Sequence, residues 1–450
     1  MSRQLPNWLI ELCRDISSTG GKALLVGGCV RDRLLGYPVK DYDIEVYGLP
    51  SEQLREVLEK HGRVNTVGEH FAVYKLKPNA EPTYEVDVSL PRRESKHGSG
   101  HRGFIIQGDP WMTFQDAANR RDFTINAILQ DPLSETIIDP CQGLSDLGRR
   151  ELRAVNANTF KDDSLRVLRA AQLSSRYRLK ITDETKLLCQ ETNLKDIPKE
   201  RIWDEVKKLL LLSPCPSLGF GYFLELGVVE QLFPMLWELQ SSLVGKNPYS
   251  AESAWNYVLS SLDRGKTYIE ELSEPEKISV LVSVIGTRLS ENNLIKLLDA
   301  LGIYTYQGYQ LRAQIITLSK IHLLPYKIFH QIQEQRFYAF ALKRVARLTD
   351  LKLIVCLSES LRLDASEQIS DWLRKSSNSI SRSESPILRG HHILRTGLNQ
   401  GPAVGKLIRQ IYEYQIEGRV KNLEDAEQLA TNLLLREKSI SGLGKFQENG

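Results

Sequence analysis

Leu24-Leu25-Val26-Gly27-Gly28-Cys29-Val30-Arg31-Asp32-Arg33-Leu34-Leu35-Gly36, closed by Asp41-Tyr42-Asp43, reads as a strand, a glycine turn, a helix and a second strand. The apolar run before Gly27 has the character of a buried strand, and paired glycines let the backbone turn sharply and lie against a phosphate. Arg31 falls in the first turn of the helix that follows. Asp41 and Asp43 open a β-rich run that continues Ile44-Glu45-Val46-Tyr47, so a strand aims both carboxylates at one face. Paired carboxylates suit hard cations. Magnesium binds through one or two carboxylates together with substrate phosphates. Two such ions about 3.5–4 Å apart can activate an attacking hydroxyl and steady a leaving group. An isolated Asp-x-Asp is more often a surface loop, and the glycine turn and arginine ahead of it are what set this one apart.

Further motifs follow in order: Arg120-Arg121-Asp122-Phe123-Thr124-Ile125-Asn126-Ala127, then Ile138-Asp139-Pro140 with Gly143 and Asp146-Leu147, then Asp162-Asp163-Ser164-Leu165-Arg166-Val167-Leu168-Arg169, then Glu200-Arg201-Ile202-Trp203. With the opening unit, these make the chain resemble the polymerase-β-like nucleotidyltransferases of the bacterial CCA-adding (tRNA nucleotidyltransferase) and poly(A) polymerase family, class II. The resemblance spans roughly the first 235 residues, and five ordered motifs make it specific.

The resemblance implies an α+β chain. Its expected parts are a catalytic head with a small sheet over 1–150, a helical neck that recognises the base over 151–215, a helical tRNA-binding body over 216–375, and a linker and helical tail over 376–450. The implied reaction is template-independent addition of CCA to the 3′ end of tRNA from CTP and ATP, with Mg²⁺ and release of pyrophosphate. Addition of A alone and poly(A) synthesis are the nearest alternatives, and an RNA-binding protein without catalysis is the alternative of another class. Relatives with a similar N-terminal half can carry an HD phosphohydrolase domain; here Ser283 and Val284 stand where its His-Asp would be, so no phosphohydrolase activity is expected.

The resemblance also distributes roles. Asp41 and Asp43 are the expected metal ligands. Asp87, in Tyr84-Glu85-Val86-Asp87-Val88-Ser89-Leu90, is the expected third catalytic carboxylate, although Glu85 shares its strand face and leaves two candidates. Gly28 and Arg31 would meet the triphosphate, by an amide and by charge-assisted hydrogen bonds. Arg121 would be a second phosphate or ribose contact. Asp122 and Asn126, at i and i+4, would touch the nucleotide from one helical face, a capping role for Asp122 being the other reading.

Base selection rests on Asp163 and Arg166. A carboxylate only accepts hydrogen bonds and a guanidinium only donates. Cytosine and adenine both set an amino donor beside a ring-nitrogen acceptor on their pairing edges, so an Asp/Arg pair matches either and rejects uracil and guanine. A plain i,i+3 surface ion pair is the bland alternative. Arg169 would also contact the nucleotide. Asp162 replaces the family's usual Glu and Gln172 a usual Arg, for which Arg176 could compensate. The stretch from Pro91 to Gly100 resembles the loop that switches family members from C to A addition, and Gly68-Glu69-His70-Phe71 lacks the basic pair of the poly(A) polymerases.

Of the 450 residues, 41% are hydrophobic, enough for several real cores. The net charge of +3, from 59 basic and 56 acidic residues, barely favours a polyanion, so RNA binding has to come from local features. No apolar run is long enough for a membrane span and the N-terminus has no signal-peptide pattern, which predicts a cytoplasmic protein without a membrane partner. Six scattered cysteines without a CxxC pair read as reduced core thiols, and His97 and His101 have no further ligand nearby to make a zinc site. Ser376 to Pro386 is polar and poor in core formers, a linker.

Overall fold

The apolar run Lys22–Val26 becomes β1 and Asp43–Tyr47 becomes β2, paired antiparallel through Leu25↔Ile44 to Lys22↔Tyr47. Between them Gly28–Leu34 forms helix α2. The computed structural model describes residues 4–39, 41–66, 73–96, 104–244, 252–331, 343, 345–362, 368, 371–372, 374, 385–394 and 402–443. The expected linker over 376–386 lies almost wholly outside these, as do Gly68 to Phe71, His97 and His101. The chain divides into two compact units, one of Met1–Glu238 with Lys296–Gly302 and one of the remainder.

In the first unit, helix α1 (Asn7–Ser18) buries Leu9, Leu12, Cys13 and Ile16 at helical spacing. Helix α3 (Ser51–His61) buries Leu54, Val57 and Leu58 in the same way. Both pack on a sheet completed by β3 (Gly62–Thr66), β4 (Val73–Pro78) and β5 (Val86–Ser89), then, beyond the ribbon formed by β6 (Arg92–Lys96) and β7 (Phe104–Gly108) and the helix α4 (Phe114–Ala118), by β8 (Leu129–Gln130) and β9 (Ile137–Ile138). The strand order is β3-β4-β5-β2-β1-β8-β9. Every pairing in it is antiparallel except β2 with β5, which run parallel. Alternation of Val86 and Val88, fully buried, with Asp87, exposed, shows how β5 presents one polar face.

β1, β2, β4, β5 and β9 fall on the β-rich runs of the sequence, Ala23–Val26, Tyr42–Tyr47, Ala72–Leu76, Tyr84–Leu90 and Thr136–Ile138. The short strands β3 and β8 and the ribbon do not announce themselves. The first strand of the ribbon occupies Arg92–Lys96 of the stretch expected as a switching loop, with Arg92↔Gly108 to Lys96↔Phe104 in register; residues 97–103 are outside the described residues.

After helix α5 (Gly143–Arg149) the unit is helical: α6 (Ala157–Phe160), α7 (Leu165–Tyr177), α8 (Asp183–Gln190) and α9 (Lys199–Leu212). Helix α7 packs on α9 and on the helix Pro216–Glu225, where a Cβ on Gly219 would come within 2.4 Å of Leu209. Strand-like residues Glu151–Leu152 and Lys180–Ile181 pair parallel and stitch the sheet half to the helices.

The second unit is a helical bundle of Ala254–Tyr268, Glu274–Gly286, Leu311–Ile321 and Leu351–Leu361. Ser283 and Val284 lie wholly inside it, the serine hydroxyl donating to the Ile315 carbonyl at 3.3 Å. Helices Gly390–Leu394, Pro402–Ile416 and Leu423–Leu443 close over Leu388, Ile393, Leu407, Ile411, Ala426 and Ala430. No helix among the described residues is long and apolar enough to cross a membrane.

Candidate active site

The parallel pairing of β2 with β5 sets Asp43 directly opposite Asp87. Asp41 precedes the pair and is exposed. Asp43 is open to solvent on one side. Even so, desolvation of its inner side and then the charges of Asp87 and Asp41 push its carboxyl up to about 6, against the pull of Arg121. A strained carboxylate among carboxylates is an electrostatic debt that a cation would relieve.

Glu85 is turned elsewhere. It meets Lys75 Nζ at 2.7 Å and Lys77 Nζ at 3.7 Å, while Asp87 keeps only a looser 3.6 Å contact with Lys75. Among the described residues no three His, Cys, Asp or Glu side chains gather closely enough to cage a metal. The donors present are all carboxylate oxygens, which fits a hard cation that takes its remaining ligands from phosphate and water.

Asp43 and Asp87 line a cleft of about 300 Å³ together with Glu45, Arg92, Arg120 and Arg121. The turn above it is made by Gly27, whose φ of +73° is left-handed. A Cβ there would sit 3.4 Å from Arg121 Nη1 and 3.6 Å from Asp43 Oδ2. It is thus Gly27 that borders the carboxylate, whereas Gly28 starts α2 and faces Arg31.

Arg31 is not at the cleft. Its guanidinium is buried, donating to Asp32 Oδ1 at 2.7 and 2.9 Å, to Asn126 Oδ1 at 2.6 Å and to Tyr177 Oη at 2.6 Å. Four of its five N–H donors are committed to protein, and they pin α2 to the end of α7 rather than placing the guanidinium in the cleft, where the resemblance expects it. Asp122 and Asn126 do not share a regular α-helix, because Thr124–Asn126 is a single 3₁₀ turn that begins after Asp122. They still meet, Asn126 Nδ2 donating to Asp122 Oδ1 at 3.0 Å. Arg169 clasps Asp122 Oδ2 through Nε and Nη2 at 2.8 and 2.7 Å. Burial works to raise the Asp122 carboxyl, but Arg169 and the Asn126 and Phe123 donors outweigh it and hold it below the ordinary carboxylate range. The polar chain from Tyr177 through Arg31, Asn126 and Asp122 to Arg169 therefore begins and ends on α7.

Just ahead of that helix Asp163 accepts from Arg201 Nη2, on α9, at 3.2 Å. Arg166 donates to the carbonyls of Thr159 at 2.9 Å and Arg120 at 2.7 Å, two bonds that do not exhaust its five donors. Gln172 is buried and its amide nitrogen has no hydrogen-bond partner among the described residues, while Arg176 lies 3.5 Å from Asp32.

Glu45, Arg120 and Arg201 are the side chains to which the sequence reading gives no role. Alternation along β2 puts Glu45 on the face of Asp43, and Arg120 and Arg201 sit inside motifs quoted above; those were the available signals.

Residues 23–153, which hold every side chain of the cleft, match the family described as the poly A polymerase head domain. The first part of this chain is similar to such a head. After it, residues 179–240 match a family described as a probable RNA and SrmB-binding site of polymerase A. The chain is 39% identical over 222 residues to a multifunctional CCA protein of Mannheimia succiniciproducens, which covers 48% of this chain and 50% of that protein. The chain thus spans about half the length of this curated relative.

Among solved structures, the CCA-adding enzyme of Bacillus stearothermophilus in complex with CTP superposes with a TM-score of 0.66 at 20% identity, covering 97% of this chain and all of that one. The CCA-adding enzyme of Thermotoga maritima complexed with tRNA gives a TM-score of 0.61 at 18% identity, covering 95% of each chain. The fold, a sheet-bearing N-terminal part followed by helices, is common to all three.

Proposed function

We propose that the protein is a template-independent nucleotidyltransferase that adds C, C and A to the 3′ end of tRNA from CTP and ATP, releasing pyrophosphate. The observation that carries the proposal is the Asp43/Asp87 pair, opposed in register in a cleft that Arg92, Arg120 and Arg121 also line. Nucleotidyl transfer asks a protein for positioning and charge neutralisation rather than covalent chemistry. A relative named for CCA and neighbours solved with CTP and tRNA support the choice of substrates.

In this reading Asp41 and Asp43 hold Mg²⁺, and Asp87 orients the RNA 3′-hydroxyl. Mg²⁺ bound there supplies charge neutralisation to the attacking hydroxyl and the leaving pyrophosphate. Arg120 and Arg121 neutralise the phosphate charge, beneath the turn that Gly27 keeps open. Gly28 offers its amide, and Asp122, Asn126 and Arg169 shape the floor on which the nucleoside rests. Asp163 and Arg166 read the pairing edge of C or A, with Arg201 fixing the carboxylate in place. The reaction belongs to the cytoplasm, where tRNA is matured.

The test is incorporation of labelled CTP and ATP with Mg²⁺ into three tRNA transcripts, ending before CCA, after C, and after CC. Addition of CMP to the first, followed by one AMP, establishes CCA addition. AMP only on the CC-ended transcript makes the protein an A-adding enzyme, and long A tails make it a poly(A) polymerase. Asp163→Ala should admit UTP by at least tenfold relative to the parent, the loss of one charged hydrogen bond in discrimination being worth about 1.4 kcal/mol or more. Unchanged discrimination would remove the base-reading role.

A further inference from the structure

Glu45 is a carboxylate with 4% of its side chain exposed, on the same strand face as Asp43 and lining the same cleft. Arg120 Nη2 lies 3.5 Å from its Oε1 and Arg121 Nη2 lies 3.5 Å from its Oε2. Tyr47, two residues further along that face, donates its hydroxyl to Oε2 at 2.7 Å. Two guanidiniums are thus divided between the two oxygens of one buried acid, and the acid is anchored from behind. The nearest other negative charges in the cleft are Asp43 and Asp87. Arg121 is close to reaching them, since its Nη1 and Asp43 Oδ2 are both within van der Waals range of the point where Gly27 would carry a Cβ. Arg121 spends its remaining described contact on the Asn126 carbonyl at 3.4 Å rather than on Asp43.

We propose that Glu45 is a positioning residue that holds Arg120 and Arg121 back from the Asp43/Asp87 pair, so that the carboxylates stay available to a divalent cation. Without its charge the arginines lose that buried partner, and Asp43, two residues away, and Asp87, opposite it, are the other carboxylates of the cleft. The guanidiniums would then occupy the cation's place. The inference rests on these carboxylates being the metal site of the proposed transferase.

The experiment measures Mn²⁺ binding to the full chain, without nucleotide or RNA, from the electron paramagnetic resonance signal of free Mn²⁺. Glu45→Gln should weaken Mn²⁺ binding about tenfold, equivalent to about 1.4 kcal/mol. The double variant Glu45→Gln with Arg121→Gln should recover most of that loss, because the competitor has been removed. A purely structural role for Glu45 predicts a double variant no better than the single one. Wild-type affinity in the folded Glu45→Gln protein, or no recovery in the double variant, would overturn the proposal. Circular dichroism checks the fold; if Glu45→Gln does not fold, Glu45→Asp takes over, retaining the charge but retracting it, with about threefold weaker binding expected and unchanged binding again overturning the idea. If the wild-type protein binds Mn²⁺ and Glu45 acts as described but no CMP or AMP is incorporated, the assigned reaction is wrong and the arginine-holding role stands.

Discussion

Replacing Asp43 by Asn should stabilise the metal-free protein while abolishing nucleotidyl transfer. Desolvation and the facing Asp87 and Asp41 raise the Asp43 carboxyl from an ordinary 3.8 to about 6, which corresponds to about 3 kcal/mol if felt in full. Asp43 faces solvent on one side, so screening reduces this to about 1 kcal/mol. Below pH 3.8 the carboxyl is protonated folded or unfolded and contributes nothing. Between there and about 6 the folded state binds more protons than the unfolded state, so stability falls as pH rises, and above about 6 the whole penalty is present. The Asn variant has no such penalty. In EDTA the two proteins should melt together near pH 4, and the variant should melt about 2–4 °C higher at pH 7.5. Saturating Mg²⁺ should reverse the order, since only the wild type gains from binding. A difference that is the same at both pH values, or a variant less stable than wild type at pH 7.5 in EDTA, would refute the account of Asp43 as a carboxylate held among its own kind.

Two further outcomes follow from the polar chain along α7. Arg169→Met leaves the Asp122 carboxylate without its clasp and should cost about 3 kcal/mol in urea unfolding at pH 7, less at acid pH where Asp122 takes up a proton. Tyr177→Phe removes a hydroxyl that accepts from Arg31 and donates to Asp32 at 2.7 Å, and should cost about 1–2 kcal/mol by the same measurement.

Local signals carried the sequence reading a long way. The strand, glycine turn and helix from Leu24 to Gly36 and the carboxylates after it are legible because each needs only its neighbours. Parts of the site that depend on distant partners were not. Arg31 has the chemistry of a phosphate contact, and nothing within its own motif reveals that Asn126 and Tyr177, on other elements, will join Asp32 in taking its donors. Asp163 and Arg166 stand one turn apart and read as a pair, yet Asp163 is held by Arg201 from a different helix. Glu45 looked like an ordinary strand residue because the two arginines that give it meaning arrive on a later segment.

The clasp between Asp122 and Arg169 bears on how this protein can be divided. The head family match stops at residue 153, before α7 begins. A fragment severed there would keep Asp41, Asp43 and Asp87 but strand Asp122 without its counterion and Arg31 without Tyr177. The head is therefore not portable at the border its homology suggests. Any graft onto another protein has to carry the helix through Tyr177, and a chain emerging from the ribosome cannot finish its N-terminal half until that helix has followed it out.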